Sequence, residues 1–147
     1  MKNLGTLSYF LGLEVISFSN GYYLSQAKYA FDLLSKADIT DNKTISTPLK
    51  YNAKLTPLDG EPISDTICYC QLVGSLIYLT ITHLDISHAV GMVSKFIDVP
   101  HSVHHASIFQ ILRYAKGTLY HGLHYSSRSS LQLHAYLDVD WASDPTN

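Results

Sequence analysis

Apolar and polar residues alternate near the start of the chain, as they do in half-buried β-strands. One face of an extended segment would carry the odd-numbered residues Leu7, Tyr9, Leu11, Leu13 and Val15. An Asn-Gly pair at residues 20 and 21 then precedes the apolar run Tyr22–Leu24, and Asn-Gly is a strong signal for a tight hairpin turn. The pattern therefore predicts a β-hairpin over residues 7–25.

The apolar spacing changes to that of a helix directly after the hairpin. The helical face is formed by Tyr29, Ala30, Leu33, Leu34 and Ala37. Ser25 is a candidate N-cap for this helix, because its hydroxyl can accept a bond from a free backbone N–H. Residues 42–63 then hold three of the five prolines and no sustained periodicity, which predicts an extended connector.

Three more helical patterns follow the connector, each with one apolar face. The first contains Tyr69, Leu72, Val73, Leu76, Ile77 and Thr80, the second Ile86, Ala89, Val90, Val93, Phe96 and Ile97, and the third Ala106, Phe109 and Leu112. The third pattern runs from about residue 102 to 116, and Gly117 is expected to end it. Helices this close in sequence are expected to pack antiparallel as a small bundle.

Two short strands are predicted near the end of the chain, at residues 122–126 and 131–138, around a serine-rich turn. The second strand leads into two carboxylates, Asp138 and Asp140. Such a pair could begin a divalent-metal site, because Mg²⁺ prefers oxygen ligands, but a two-metal site needs further carboxylates. Spacing alone favours a solvated pair over a functional one.

Composition excludes several classes of protein. The net charge of −2 argues against an obvious nucleic-acid binder, which should carry a basic surplus or patch. There is no glycine-rich phosphate loop, no Gly-x-Ser-x-Gly nucleophile and no spaced Cys/His metal set, so catalysis has little support. No run of about 18 apolar residues or signal segment occurs, and a soluble intracellular protein is the default expectation.

The histidines and the two cysteines are candidate metal ligands by residue type. His101, His104 and His105 are clustered, and one helical face could present two imidazoles to a metal. With no third ligand evident beyond Asp98, the favoured interpretation is the solvated first turn of a helix. Cys68 and Cys70 would point in different directions on a helix, which favours neither a disulfide nor a zinc site.

Six blocks, in this order and spacing, closely resemble copia-type retrotransposon polyproteins. They are MKNLGTLSYFLGLEV at residues 1–15, YYLSQAKYAFDLL at 22–34, STPL at 46–49, YCQLVGSLIYLTITHLDI at 69–86, ILRYAKGT at 111–118 and YLDVDWASDP at 136–145. The match covers nearly the whole chain. The resemblance implies the C-terminal end of a reverse transcriptase, followed by the first strand of a ribonuclease H domain.

The resemblance also implies functional residues. Phe10, Leu11 and Gly12 correspond to the primer grip, which in the family orients the 3′ end of the primer. Residues 71–78 resemble the thumb helix that follows the minor groove of the template–primer duplex. Its implied contact residues are Gln71, Gly74, Ser75 and Tyr78, and its implied core face is Leu72, Val73, Leu76 and Ile77. Asp138 matches the first ribonuclease H aspartate, a metal ligand, whereas Asp140 and Trp141 match the motif without a clear catalytic role.

On this resemblance both active sites are incomplete. The paired polymerase aspartates would lie upstream of Met1 and the other ribonuclease H carboxylates downstream of Asn147, and Met1 matches an internal methionine of the polyprotein. We therefore expect a catalytically inactive fragment without a cofactor, whereas the intact parent would use Mg²⁺, held in part by Asp138. The parent would bind RNA–DNA or DNA duplexes, and this chain would bind them weakly at best. It could also self-associate through exposed strands.

Some departures from the family pattern suggest a decayed element. Arginine is usual in the family at the positions of Cys70, His83, Gln110 and His134. Each change can arise from one C-to-T or G-to-A mutation, so deamination of methylated cytosines is one hypothesis and ordinary divergence is the other. Arginines restored at positions 70, 83 and 110 would add phosphate contacts where they reach the duplex, whereas an arginine at position 83, beside Asp85, could serve instead as a structural partner.

The sequence as a whole predicts an α+β fold in four parts. These are a palm-end hairpin and helix at residues 1–41, a connector at 42–63, a three-helix thumb-like bundle at 64–117, and orphan ribonuclease H strands at 118–147. The predicted function is that of a non-catalytic reverse transcriptase fragment. The alternatives are a residual duplex-binding module and a helical interaction domain that binds no nucleic acid.

Overall fold

The computed structural model describes residues 7–39, 41–50 and 53–130 of the chain. Strands β1 (Tyr9–Phe10), β2 (Leu13–Phe18), β3 (Gly21–Ser25) and β4 (Gly122–Ser126) form one antiparallel sheet in the order β1-β2-β3-β4. Helices α1 (Ala27–Lys36), α2 (Thr66–Leu79), α3 (Ser87–Ser94) and α4 (Ser102–Gly117) lie between β3 and β4 in sequence, and a 3-10 turn, Leu84–Ile86, precedes α3. The α+β class is confirmed. None of the helices in these described ranges is long and apolar enough to cross a membrane.

The N-terminal segment forms two turns instead of the single one predicted. The chain reverses at Leu11 and Gly12, which have φ of +50° and +81°, so that Phe10 pairs with Leu13. The second turn, at residues 19 and 20, closes with Phe18 opposite Gly21. The expectation of one continuous extended face from residue 7 to residue 16 is therefore wrong. Alternation of apolar residues continues through a tight turn and does not reveal it, whereas glycine readily adopts the positive φ that the turn needs.

Helix α1 begins one residue later than a Ser25 N-cap would place it, so Ser25 is not the N-cap. The N-cap position is Gln26, and the Ser25 hydroxyl accepts a hydrogen bond from the Ala27 N–H at 3.1 Å. A second free N–H of the first turn, that of Lys28, donates to the Glu14 carboxylate of β2 at 3.3 Å. The sheet therefore supplies part of the helix cap, which satisfies donors that have no partner within the helix.

The hydrophobic core is built by the helices. Its buried residues are Ala30, Leu33, Leu34, Ile39, Tyr69, Leu72, Val73, Leu76, Leu79, Ile86, Ala89, Val90, Val93, Ile108, Ile111, Leu112 and Ala115. Most of the predicted core positions of α1, α2 and α3 are confirmed. Among the described residues, no strand residue belongs to this core. The sheet is therefore joined to the helices by other contacts.

Three predicted core positions are wrong. Ile77 is 49% exposed and Ile97 is 37% exposed, and Ala106 is exposed on α4. On α4 the buried face includes His104 and Ser107 beside the aliphatic residues. Because two polar residues occupy the buried face, the apolar pattern alone indicated a helix orientation that was shifted by about one position.

Strand β4 is not an orphan. It pairs with β3 along its whole length, from Gly122 opposite Ser25 to Ser126 opposite Gly21. The approach is close, since a Cβ on Gly122 would lie 2.2 Å from the Leu24 carbonyl oxygen. The strand predicted at residues 122–126 is confirmed, whereas the expectation that it has no sheet partner is wrong, because β3 offers an open edge that local sequence does not reveal. The second predicted strand, at residues 131–138, lies outside the described residues.

Candidate functional site

The first predicted contact group forms the turn between β1 and β2. Phe10 and Leu11 are 58% and 71% exposed, and Gly12 has the positive φ of the turn. The Tyr78 hydroxyl of α2 donates to the Leu11 carbonyl. A Cβ added to Gly12 would lie 3.4 Å from the Tyr78 ring, so the turn rests closely on this helix.

The second predicted group lies on one face of α2. Gln71, Gly74, Ser75 and Tyr78 follow the i, i+3, i+4, i+7 spacing of a helical face. Gln71 and Gly74 are exposed, and Ser75 and Tyr78 are half-buried. A Cβ at Gly74 would meet no atom within 4 Å, so the backbone is open to a ligand there.

The contact between Tyr78 and Leu11 joins the two groups. We call the joined set the composite surface: Phe10, Leu11, Gly12, Gln71, Gly74, Ser75 and Tyr78. Residues predicted from two separate sequence blocks thus meet at one place in the fold. None of the seven is charged, and the exposed Ile77 and Ile81 extend the α2 side with apolar area. Contacts made here would depend on shape and apolar area more than on charge.

Tyr29 supports the composite surface from below and was missed as a functional residue. Its hydroxyl donates to the Ser75 carbonyl at 3.2 Å. Its ring meets the Tyr78 ring edge-on, with the ring centroids 5.0 Å apart. The helical spacing had indicated only a core residue, although a tyrosine at a core edge commonly has a polar partner for its hydroxyl.

The histidine cluster is structural, and the solvated helix turn expected for it is wrong. His101 and His104 are 5% and 0% exposed. His104 Nδ1 accepts from the His101 backbone N–H at 3.0 Å, so Nε2 carries the proton and donates to the Thr56 carbonyl at 2.9 Å. Both nitrogens of His104 are therefore occupied. His105 packs edge-on against Phe109.

Other candidate ligands do not converge on a metal. Cys68 and Cys70 are free, half-buried thiols. Within the described ranges no three His, Cys, Asp or Glu side chains are grouped to hold a metal ion. Asp138, Asp140 and Trp141, which resemble the start of a ribonuclease H site, lie outside the described residues, as does His134.

Two cationic side chains of α4 are already engaged. Arg113 is 3.6 Å from the Asp41 carboxylate, and Lys116 donates to the carbonyls of Ile39 and Asp41. Nearby, the Tyr114 hydroxyl donates to Asp85 at 2.5 Å, and this bond, with partial burial, raises the pKa of Tyr114 to about 12. These interactions hold α4 to the segment after α1 and to the 3-10 turn. Because Arg113 and Lys116 already have partners, their positive charges are less available to bind phosphates.

The positions at which arginine was expected differ in exposure. His83 is 1% exposed, whereas Cys70 and Gln110 are half-buried. Burial of position 83 favours a structural role for this side chain over a phosphate contact. His83 Nε2 lies 3.1 Å from the Thr118 carbonyl.

Comparison with known proteins identifies relatives over nearly the whole chain. Residues 1–51 match the family described as reverse transcriptase (RNA-dependent DNA polymerase). The chain is 40% identical to the Retrovirus-related Pol polyprotein from transposon RE1 of Arabidopsis thaliana over 98% of its length, and 35% identical to that from transposon TNT 1-94 of Nicotiana tabacum over 100%. An uncharacterised mitochondrial protein of Arabidopsis thaliana is 40% identical over 97% of the chain.

These matches cover only part of each relative. The chain spans 10% and 12% of the two polyproteins and 59% of the mitochondrial protein. No solved structure matches the chain.

Proposed function

We propose that the chain corresponds to a segment of copia-type retrotransposon Pol polyproteins that includes part of the reverse transcriptase domain, and that this segment holds duplex nucleic acid without performing catalysis. In the proposal, the β1–β2 turn is a primer-grip element and α2 is the helix that follows the minor groove. Residues 64–117 correspond to a thumb, and residues 118–147 to the start of a ribonuclease H domain. Mg²⁺ would be a cofactor of the intact polyprotein and not of this segment alone.

The observation that carries the proposal is the composite surface. Leu11 and Gly12 lie about 60 residues before Gln71 and Gly74 in the chain, yet Tyr78 joins the two groups. An exposed Phe10 side chain offers an aromatic surface, and the open backbone at Gly74 admits close approach. An uncharged surface of this kind supports contact with sugars and base edges inside a groove better than contact with phosphates alone.

A second candidate function is a protein-interaction surface. The composite surface has no charge, and Leu11 and Ile77 are exposed apolar residues on it and beside it. Exposed apolar area of this kind commonly marks a protein contact. The two functions differ in the ligand that is bound, because only the first predicts binding of an RNA–DNA hybrid duplex.

The test compares two phenylalanines of similar exposure in the same sheet. Phe10 is 58% exposed on the composite surface, and Phe18 is 54% exposed at the far end of β2. Phe10→Ala should weaken binding to an RNA–DNA hybrid duplex, measured by fluorescence anisotropy across a salt series, by about fivefold, the equivalent of about 1 kcal/mol. Phe18→Ala should bind like the unsubstituted chain.

Two outcomes would contradict the proposal. One is equal affinity for the two variants, which would place the duplex elsewhere on the molecule. The other is an unsubstituted chain that does not bind the hybrid duplex at all, which would favour the protein-interaction surface. Thermal melts of both variants check that neither substitution unfolds the chain.

A further inference from the structure

A buried chain of polar side chains runs between the sheet and the helices. Gln26, Thr82 and His83 are 0%, 4% and 1% exposed. Gln26 is the N-cap of α1, and Thr82 and His83 lie in the segment between α2 and the 3-10 turn. Polar groups this deeply buried are costly to keep unless they are paired, so their partners indicate what they hold in place.

Each of these side chains connects two different parts of the fold. Gln26 Nε2 donates to the Tyr78 carbonyl in the last turn of α2 at 3.2 Å, and Gln26 Oε1 accepts from the Thr82 hydroxyl at 2.8 Å. Thr82 Oγ1 also lies 3.2 Å from His83 Nδ1. His83 Nε2 lies 3.1 Å from the carbonyl of Thr118, the residue that follows α4, and a carbonyl can only accept, so this nitrogen donates.

The two ends of this polar chain of side chains lie where the sheet connects to the helices. Gln26 joins β3 to α1, and Thr118 precedes β4 by four residues. Since no strand residue in the described ranges belongs to the hydrophobic core, apolar packing does little to fix the sheet. The polar chain therefore holds both covalent connections of the sheet to the end of α2.

We propose that Gln26, Thr82 and His83 are positioning residues that hold the β1–β2 turn in register with α2. Tyr78 is the link, because its carbonyl accepts from Gln26 while its hydroxyl donates to the Leu11 carbonyl. The backbone of Tyr78 is thus held from the buried side, and its ring reaches the turn on the exposed side. The consequence for duplex binding rests on the function proposed above, whereas the positioning of the turn does not.

The test removes one hydroxyl and keeps the volume. Thr82→Val deprives Gln26 Oε1 of its donor at a buried position, and Thr82→Ser restores a hydroxyl. Thr80→Val is the matched control, since the Thr80 hydroxyl donates only to the Ile77 carbonyl of its own helix, at 2.7 Å. Hydrogen exchange of the full chain is then compared between the sheet amides, residues 13–25 and 122–126, and the amides of α2 and α4.

The proposal predicts a local effect. Thr82→Val should speed exchange of the sheet amides by about tenfold and leave the α2 and α4 amides within about twofold, because one unpaired buried acceptor weakens one junction. Thr82→Ser should recover most of the protection, and Thr80→Val should match the unsubstituted chain. Thr82→Val should also weaken hybrid-duplex binding by severalfold.

Two results would overturn the proposal: equal exchange in Thr82→Val and Thr80→Val, or a uniform rise in the sheet and the helices alike, which would show a general contribution to stability. If the unsubstituted chain does not bind the duplex, the proposed function fails, and the exchange comparison still decides the positioning role.

Discussion

Replacing Gly74 by alanine should stabilise the chain and weaken its binding to duplex at the same time. Gly74 lies inside α2, where a Cβ would meet no atom within 4 Å, so alanine adds no clash. Alanine is favoured over glycine in a helix interior by about 0.8–1.0 kcal/mol. For a domain of this size, that gain corresponds to a rise in Tm of about 2–4 °C.

Gly91 supplies a control of the same kind. It lies inside α3, and a Cβ there also meets no atom within 4 Å. Gly91→Ala should therefore give a similar gain in stability. Because Gly91 is not part of the composite surface, this substitution should leave duplex affinity unchanged, whereas Gly74→Ala should lower it by about threefold or more if the duplex approaches the helix backbone closely.

The assays are thermal or urea unfolding and anisotropy titration with an RNA–DNA hybrid, applied to both variants. Equal stabilisation with a loss of affinity only in Gly74→Ala is the expected result. If both variants gain stability and both bind like the unsubstituted chain, the close approach at Gly74 is refuted. If Gly74→Ala destabilises the chain, the open environment assigned to this residue is wrong.

Three further predictions concern the buried hydroxyl of Tyr69, the expected arginine at position 83, and catalysis. The fully buried Tyr69 donates to the Val93 carbonyl at 2.7 Å. Tyr69→Phe should therefore lower the free energy of unfolding by about 1–3 kcal/mol at pH 7 in urea titrations. The control is Tyr120→Phe, at a residue that is 79% exposed, which should change this free energy by less than about 0.5 kcal/mol. Burial raises the pKa of Tyr69 to about 12, above the value of about 10 expected in the unfolded chain. The stability contributed by the protonated Tyr69 hydroxyl is therefore lost as pH rises from 10 to 12. Over that interval Tyr69→Phe should lose less stability than the unsubstituted chain, and an equal loss would contradict the raised pKa. His83→Arg should leave the slope of log affinity against log salt unchanged, because position 83 is buried. Gln71→Arg, on the composite surface, should steepen this slope by about 0.9 for one phosphate contact. A steeper slope for His83→Arg would show that this side chain reaches the duplex. The purified chain should extend no primer at any Mg²⁺ or Mn²⁺ concentration, because the composite surface contains no carboxylate; extension that disappears in Gly12→Trp would refute this.

The sequence predicts the helices of this chain better than its sheet. Helices α1 to α3 have apolar faces that report their buried sides, since periodicity arises from burial along a single element. On α4 the same reasoning fails at His104 and Ser107. These residues are buried and hydrogen-bonded to backbone carbonyls, but their polar type does not indicate a core position. Helix position and type were therefore predictable, and the orientation of α4 was not.

Strand pairing depends on residues far apart in the chain, which local patterns do not report. The pairing of β4 with β3 joins Leu123 to Leu24, about 100 residues earlier, and nothing in either segment specifies the other. The composite surface shows the same division. Its residues came from a family resemblance in two blocks, and only the fold shows that Tyr78 joins them and that Tyr29 supports Tyr78.

The central claim is that the β1–β2 turn and one face of α2 form a single duplex-binding surface. The most direct measurement is a backbone-amide NMR titration of the chain with an RNA–DNA hybrid duplex. The account predicts that shifted amides cluster at residues 10–12 and 71–78 together, with the same apparent Kd for both groups. Shifts confined to one group, shifts centred on other helices, or unchanged spectra at saturating duplex would contradict it.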